Sequence, residues 1–542
     1  MESMTKNLKK TAIIGIVLMA LLICRLAYIQ LVGGTELAEA TRAQSLISLE
    51  GSNTRGIIYD RTGSALVADK KQYVYIIKEE NFDYQTAKLL KETGAREVSS
   101  DNEGYYVYSS ESYDKNMGKK LIEKYHAYIL QASARYGEDQ TAAHLIGYVN
   151  QRDSSGASGL ELMFDEELSV LNRNIYAVAD VKGNILPGRG LLITEDSTGD
   201  SYVKEGINTT VGKELQGAVE EIIEEEGKDC AVVVLDSRSG GIMAMACTPA
   251  FDPNDVSSYL EADGDQLINK ATQGEYAPGS VFKIIVAAAA LEKGVDESKT
   301  YTCTGETQVG GLSIGCETGG EEGHGSIDFE TAFADSCNSF FIQLGQEIGS
   351  DAIIHMAEKF HLGEKTLKGY PQEKAGHLMT KAERQGAAIG NLSIGQGETL
   401  VTPIQIARMT NIIAAGGIDR GVHILMEDEV AEEQVISGNT AKTIGSMMEG
   451  TVKMGTARTL ELTGQDDMPE AAVKTGTAEY VQDGEMATHG WITGYTPSEE
   501  PEYTITVFME DGSSGGNGAG GVFEKIVAYL KESGSYSKPT LA

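Results

Sequence analysis

A long apolar segment close to the N-terminus constrains the chain more than any other feature of its sequence. Three lysines precede an apolar run over residues 12–32, which Arg25 interrupts. The run is about twenty residues long, enough to cross roughly 30 Å of hydrocarbon as a helix. Lysines before it and acidic sequence after it predict a cytoplasmic tail (1–10), a transmembrane helix (11–32) and an extracytoplasmic remainder. A cleaved signal peptide is the alternative, disfavoured because no small-residue cleavage site follows closely.

The length and net charge of the whole chain limit the classes of protein to which it can belong. A chain of 542 residues is too long for one hydrophobic core, so two or more domains are expected. The formal net charge is −35, and no basic stripe offsets it. Nucleic-acid binding is therefore excluded, because phosphate contacts need clustered lysine and arginine.

Hydrophobic patterning divides the extracytoplasmic part into two regions. Residues 33–205 mix short β-like pieces with helical stretches, including 84–93 and 117–130, which predicts an irregular α/β domain with a structural role. Residues 206–542 begin with a helix over 213–226. Strands are then predicted at residues 231–236, 242–246, 471–479, 490–495 and 503–509. Early strands, central helices and late strands favour an α+β fold, an antiparallel sheet flanked by helices and carrying a helical insertion.

The first motif with chemical content is Ser280-Val-Phe-Lys283. Proline and glycine before it and an apolar run after it place Ser280 at a helix N-terminus. There the helix dipole and free amides favour negative charge on the serine oxygen or on a bound oxyanion. Lys283 returns to the same helical face and can act as a base if its pKa is lowered. Two other Ser-x-x-Lys sequences, at 112–115 and 535–538, lack the following apolar helix, so Ser280 is the predicted nucleophile.

The second motif is the turn Ser336-Cys337-Asn338. Because alternate residues of a short turn point the same way, Ser336 and Asn338 are expected to face a cleft. Cys337 then points elsewhere.

The third motif is Lys474-Thr475-Gly476-Thr477, which follows an apolar strand start. Alternation along a strand sends Lys474 and Gly476 to one face and the two threonines to the other. The glycine lets a substrate backbone approach the strand closely.

In this order, the three motifs resemble those of the penicilloyl serine transferases. Further stretches are similar to class B penicillin-binding proteins, so the resemblance covers most of the chain beyond the apolar segment. These stretches are Arg55–Gly63, His144–Tyr148, Gly159–Glu161, Asp236–Ala246, Pro249–Asn254, Asn391–Gly397 and His489–Tyr495. The resemblance implies a pedestal domain over 33–205 and a transpeptidase domain over 206–542.

The resemblance also implies roles for the motif residues. Ser280 would attack the carbonyl of the penultimate D-alanine of a stem peptide, and Lys283 would accept its proton. Ser336 would relay a proton to the leaving D-alanine, while Asn338 would bind donor amides. The remaining implied roles belong to the third motif: positive potential for Lys474, close substrate approach for Gly476, and carboxylate binding for Thr475 and Thr477.

The same resemblance implies partners and alternatives. Peptidoglycan stem peptides on lipid-linked glycan strands would be substrates, β-lactams would acylate Ser280, and a membrane glycosyltransferase would be a partner. A D,D-carboxypeptidase or β-lactamase would share the acylation step but pass the acyl group to water. The non-enzymatic alternatives for its function are a catalytically silent scaffold and a β-lactam sensor. No cofactor is expected for the catalytic chemistry.

Three cysteines and a histidine lie between Ser280 and Asn338. Cys303, Cys316, His324 and Cys337 form a competent tetrahedral set for structural zinc. Their spacing is long and lacks a Cys-x-x-Cys pair, so a Cys303–Cys316 disulfide and free thiols stay open as alternatives. Glycine and acidic residues in this interval predict a loop.

Overall fold

A computed structural model describes most of residues 55–169 and 206–534, together with residues 15, 17–21, 46–48, 173–178 and 191–195. Gaps within the two long ranges fall at 68–69, 103–104, 138–139, 151–154, 261–263, 429, 465–467, 483–484 and 511–517. Two compact units are formed by the described residues. One unit draws on residues before 56 and on 71–132 and 170–201, and the other on 56–70, 133–169 and 202–542.

The helices, in chain order, are α1 (Tyr84–Glu92), α2 (Lys115–Tyr125), α3 (Ala143–Ile146), α4 (Gly159–Met163), α5 (Asp165–Ser169), α6 (Lys213–Glu226), α7 (Val256–Leu260), α8 (Lys270–Gln273), α9 (Lys283–Glu292), α10 (Phe329–Ala334), α11 (Asn338–Ile348), α12 (Ser350–Lys359), α13 (Ala388–Ser393), α14 (Pro403–Ala414), α15 (Gly438–Lys453) and α16 (Ala519–Glu532). The strands are β1 (Leu46–Ser48), β2 (Ile57–Tyr59), β3 (Lys70–Lys78), β4 (Arg96–Asn102), β5 (Tyr105–Ser110), β6 (Tyr128–Ala134), β7 (Arg173–Val178), β8 (Leu191–Glu195), β9 (Gly206–Asn208), β10 (Cys230–Asp236), β11 (Ile242–Thr248), β12 (Thr300–Cys303), β13 (Glu306–Val309), β14 (Leu312–Gly315), β15 (Gly325–Asp328), β16 (Ile418–Asp419), β17 (Glu433–Gln434), β18 (Ala472–Gln482), β19 (Glu485–Thr496) and β20 (Tyr503–Met509).

The smaller unit is built around a sheet of order β4-β5-β3-β6, with a separate sheet of order β1-β7-β8. Tyr75 and Ile77 from β3 pack with Leu90 of α1 and Leu121 of α2 in one apolar cluster. The helix predicted over 117–130 is too long, because α2 ends at Tyr125 and β6 follows it. His126 adopts a left-handed backbone with φ of 53°, and Ala127 N donates to Leu121 O, a bond that closes the last helical turn.

The larger unit is organised by a five-stranded antiparallel sheet of order β11-β10-β20-β19-β18. The predicted α+β fold, with an antiparallel sheet and flanking helices, is thereby confirmed. Residues 56–70 and 133–169, placed in the pedestal from sequence, pack within this unit. The pedestal and transpeptidase boundary at 205/206 stays a prediction.

Strand β10 shows how the sheet separates two apolar layers. Its alternate residues Val232 and Val234 join a core with α6 and α16, while Val233 and Leu235 join the core that holds α9 and α14. Because β10 is buried on both faces, it reads as a continuous apolar run in the sequence. The sheet therefore lies between two helical layers.

Helix α9 is a buried helix and carries the motif lysine. Its residues 283–290 are all buried, and the four alanines at 287–290 let neighbouring helices approach closely. Consecutive apolar residues on every face are typical of a helix enclosed by other elements. The start of α9 is therefore fixed by its surroundings on all sides.

The predicted transmembrane helix over 11–32 lies almost entirely outside the described residues. Within it, residues 15 and 17–21 are helical, and the side chains of Val17, Leu18, Met19 and Leu21 are exposed. In the part of the chain that the structure describes, no helix combines the length and apolar character needed to cross a membrane.

Candidate active site

Gly279 places Ser280 against the edge of the sheet. Residues 279–282 form a 3₁₀ turn that leads directly into α9, and Gly279 has φ of +55°, a left-handed backbone that favours glycine. A Cβ atom on Gly279 would lie 2.3 Å from Thr477 O, so only glycine permits this approach. The turn therefore brings Ser280 beside the strand that carries the third motif.

Aromatic side chains anchor the segment before Ser280 to the sheet. Trp491 Nε1 donates to Ala277 O at 3.0 Å, and the ring of Tyr276 stacks on Phe508 with centroids 3.8 Å apart. The Tyr276 hydroxyl donates to Glu510 Oε1 at 3.0 Å. These contacts hold the approach to Ser280 on strands β19 and β20.

Lys283 joins the first motif to the second. Its Nζ atom donates to Ser336 O at 2.7 Å, to Ser336 Oγ at 3.1 Å and to Asn338 Oδ1 at 2.7 Å. The side chain is fully buried, with Nζ 5.5 Å from the centre of the Phe341 ring. No hydrogen bond joins Lys283 Nζ to Ser280 Oγ, two groups that the structure describes in full. Lys283 therefore has its three donors directed at the second motif.

Ser336 occupies the centre of the polar network. Its φ of +57° is uncommon for a non-glycine residue, and it turns the chain between α10 and α11. Its Oγ atom lies 3.1 Å from the Nζ atoms of both Lys283 and Lys474. Ser336 and Asn338 both line the cavity described below, whereas Cys337 is fully buried behind them.

Lys474 completes the network from β18. Its Nζ atom also donates to Thr475 O at 2.8 Å, and its side chain is fully buried. The network therefore joins all three motifs, which lie on α9, on the turn before α11 and on an edge strand of the sheet.

Burial lowers the pKa of both lysines. Desolvation lowers the pKa of Lys283 to about 8, against the opposing charges of Cys337, Cys316 and Glu317. The pKa of Lys474 lies well below its usual value, because the side chain is desolvated and the Lys283 ammonium repels its charge. Part of the Lys283 population is therefore neutral near neutral pH, and a neutral amine is available beside Ser336.

The third motif presents its threonines to solvent-accessible space. Thr475 and Thr477 line the cavity, and Thr475 Oγ1 lies 2.5 Å from Thr456 Oγ1. A Cβ atom on Gly476 would lie 3.0 Å from Val281 Cγ1 and 3.1 Å from Val281 N. Gly476 thus lets β18 pack tightly on the turn that contains Ser280.

All of these groups except the two lysines line one cavity of about 930 Å³. Ser280, Ser336 and Asn338 lie on its surface with Thr475, Gly476 and Thr477. The buried lysines lie behind this surface and reach it through Ser336. Hydroxyl groups from all three motifs therefore share one cavity, with the two buried amines directly behind it.

Cys303, Cys316, His324 and Cys337 also converge. Their ligand atoms all lie within 4.8 Å of one another. Cys316 Sγ is 3.7 Å from both Cys337 Sγ and His324 Nδ1, and His324 Nδ1 is 3.4 Å from Cys303 Sγ. No disulfide joins any of the described cysteines. The interval around them is predicted as a loop, but it contains the hairpin β13–β14 and the strand pair β12–β15. The prediction misses these strands because they are short and show no clear hydrophobic period in the sequence.

Several cavity residues have no role assigned from sequence. Thr456 and Arg458 lie in the loop after α15, and Asn391 and Gln396 lie in and after α13. In the sequence, the stretch Asn391–Gly397 carries only a resemblance to class B penicillin-binding proteins and no predicted role. Thr456 and Arg458 have no periodic pattern or motif around them that would have marked them.

The chain is similar to known proteins over most of its length. The penicillin binding protein transpeptidase domain matches residues 230–528, which is more than half of the chain. Penicillin-binding protein PbpB of Mycolicibacterium smegmatis is 28% identical over 78% of this chain and 69% of its own. Peptidoglycan D,D-transpeptidase MrdA of Escherichia coli is 25% identical over 93% and 91%. Penicillin binding protein 3 of Mycobacterium tuberculosis, solved with aztreonam, shares the fold with a TM-score of 0.64, at 22% identity over 90% and 98% of the two chains.

Proposed function

The chain belongs to the penicillin-binding protein transpeptidase family, and on that premise we propose that it is a peptidoglycan D,D-transpeptidase acylated at Ser280. One observation carries the proposal. The Lys283 and Lys474 amines share the Ser336 hydroxyl, and Ser336 lies in the same cavity as Ser280. A serine becomes a nucleophile when a base takes its proton, and a buried lysine of lowered pKa can be that base.

Acylation begins at Ser280. Its Oγ atom attacks the carbonyl of the penultimate D-alanine of a stem peptide, and neutral Lys283 accepts the proton. With a pKa of about 8, Lys283 is neutral in roughly a tenth of the molecules at pH 7. The backbone N–H groups of Ser280 and Thr477 stabilise the oxyanion, which is usually the largest single electrostatic contribution.

The second motif supplies the proton that the leaving D-alanine needs. Ser336 bridges the two lysines and so passes a proton from Lys283 to the amine of the terminal D-alanine. Thr475 and Thr477 bind the carboxylate of that D-alanine, and Asn338 binds donor amide groups. An amine of a second stem then attacks the acyl-enzyme, forms the cross-link and frees Ser280.

Mass spectrometry of the intact protein after penicillin treatment tests the assignment. We expect one stable penicilloyl adduct on the wild type and none on Ser280→Ala. Ser112→Ala is the matched control, since it alters a Ser-x-x-Lys sequence outside the cavity and should retain the adduct. An adduct that persists on Ser280→Ala would refute the site, and rapid release of hydrolysed penicillin by the wild type would instead favour a hydrolase.

We also propose that Cys303, Cys316, His324 and Cys337 hold a structural zinc ion. A tetrahedral zinc with Zn–S bonds of about 2.3 Å and Zn–N bonds of about 2.0 Å separates its ligand atoms by roughly 3.5–3.8 Å. Three of the six separations between the ligand atoms are 3.4–3.7 Å, close to that geometry, and all six are within 4.8 Å. Zinc would fix the turn that carries Ser336 and Asn338, because Cys337 lies between them. Metal analysis of protein purified without chelators should find one zinc per chain, and a reducible Cys303–Cys316 bond with no metal would contradict the proposal.

We further propose that residues 11–32 anchor the protein in the membrane as a single pass, with its catalytic unit on the outer side. The apolar run and the exposed apolar side chains at 17–19 and 21 support this location. A membrane glycosyltransferase that supplies the glycan strands is the partner that such a location favours. The full chain should sediment with membranes and be released by detergent but not by high salt, whereas release by salt alone would rule out the anchor.

A further inference from the structure

The cavity extends along β18 beyond the third motif. Glu479, Tyr480 and, across the hairpin, Met486 continue its lining past Thr477. Among the described strands β18 pairs only with β19, and beyond the turn that contains Ser280 the other edge of β18 borders the cavity. An extended peptide can add to such an edge as a further strand, which is a common mode of peptide recognition.

Glu479 occupies a defined place along this edge. Strand alternation puts it on the same side as Thr475 and Thr477, about 6.8 Å beyond Thr477. Its side chain is exposed and forms no hydrogen bond or ion pair with any other residue that the structure describes. Tyr480, on the opposite side, stacks on His489 with ring centroids 3.9 Å apart, and this contact fixes the strand where Glu479 projects.

The proposed chemistry sets the direction of the donor peptide. Its terminal carboxylate lies at Thr475 and Thr477, and its scissile carbonyl lies at Ser280. The donor therefore runs antiparallel to β18, and each further residue advances it by about 3.4 Å towards Glu479. The stem residue that precedes the two D-alanines then reaches Glu479.

We propose that Glu479 recognises a cationic amine on the side chain of that preceding stem residue. The inference rests on the proposed transpeptidation. Cross-linking consumes a side-chain amine of one stem, so donor stems of the same composition carry the same amine. The carboxylate of Glu479 complements this charge, and the exposed Met486 at the end of the hairpin offers apolar surface to the aliphatic part of the side chain.

Three donor peptides test the proposal with the full chain in detergent. They end in X-D-Ala-D-Ala, where X is lysine, Nε-acetyl-lysine or norleucine, and the measured quantity is kcat/KM for release of D-alanine. The wild type should favour lysine over the two neutral donors by about two- to fivefold, the range of an exposed ion pair. Glu479→Gln should remove this preference, and Glu479→Lys should reverse it. Glu532→Gln, an exposed change on α16, should keep the wild-type ratio, and thermal unfolding reports whether each variant is folded.

The outcomes separate this inference from the proposed function. Equal lysine and norleucine rates in the wild type, or a lysine preference that survives in folded Glu479→Gln, would overturn the role of Glu479 alone. Absence of reaction with all three donors and with penicillin would overturn both proposals. Loss of the lysine preference in Glu479→Gln, together with penicillin acylation of Ser280 in the wild type, would support both the role of Glu479 and the proposed transpeptidation.

Discussion

The two walls of the cavity are held in place by different kinds of interaction. The sheet wall, residues 279–283 and 474–477, is part of a buried helix and a sheet packed on both faces. The loop wall, residues 303–338, contains short strands with many exposed residues and the four cysteine and histidine side chains. Apolar burial thus fixes the sheet wall throughout, whereas the loop wall combines the buried side chains of α10 with the cluster of cysteine and histidine side chains. Lys283 and Lys474 both connect the sheet wall to the loop wall through Ser336.

Substitution of Lys283 should have the largest effect. Lys283→Met removes the base and its three hydrogen bonds to the loop wall. Acylation by penicillin should therefore fall by about 10³-fold, within the range for general acid–base catalysis. Lys293→Met, just after the end of α9 and outside the cavity, is the matched control and should retain near-normal acylation. Acylation can be followed by stopped-flow fluorescence with a labelled penicillin. Comparable acylation rates for the two variants would show that Lys283 is not the catalytic base.

Loss of the cysteine cluster should cause the second largest fall in the acylation rate, through displacement of the loop wall. Cys316→Ser, or removal of metal by a chelator, should lower the acylation rate by about 100-fold, the cost of displacing reacting groups by roughly 1 Å. Cys247→Ser, in β11 of the sheet, should change the rate little, because Cys247 lies outside the cavity lining. Equal rate losses for the two cysteine variants would show that the cluster has no special role in the site.

The pH dependence of the acylation rate tests Lys283, which lies between the two walls. Because Lys283 must be neutral to accept the serine proton, and its pKa is lowered to about 8, acylation should rise with pH. Between pH 7 and pH 9 the neutral fraction rises roughly tenfold, from about 0.1 to about 0.9, and the rate should follow. Single-turnover rates with penicillin measure the profile. A rate that stays constant across this range would contradict a lysine base of lowered pKa.

The smallest effect is expected at the edge of the sheet wall. Thr456→Val removes the hydroxyl that contacts Thr475, and a hydrogen bond of this kind is worth about 1 kcal/mol, or about fivefold in rate. Thr459→Val is the control. Thr459 lies on the same loop and also lines the cavity, but it forms no hydrogen bond to the third motif. A loss above 100-fold for Thr456→Val would give Thr456 a direct role, and no loss would show that Thr475 is positioned without it.

The sheet wall was more predictable from sequence than the loop wall, and the reason is physical. Helix α6 and strand β20 have the predicted bounds, because an amphipathic helix and a buried strand each leave a clear apolar pattern. The strands at 300–328 are short and half exposed, so they leave none. The motifs also marked the residues that converge, but Thr456 and Arg458 come from an irregular loop and are near the site only through the fold.

The crystal structure of the protein after reaction with penicillin tests the central claim most directly. The account predicts continuous density from Ser280 Oγ to the opened lactam carbonyl, with the carbonyl oxygen between the backbone nitrogens of Ser280 and Thr477. The carboxylate of the adduct should lie on the hydroxyls of Thr475 and Thr477, and Ser336 should remain between the two lysines. An adduct attached to another residue, or a carboxylate directed away from β18, would contradict it.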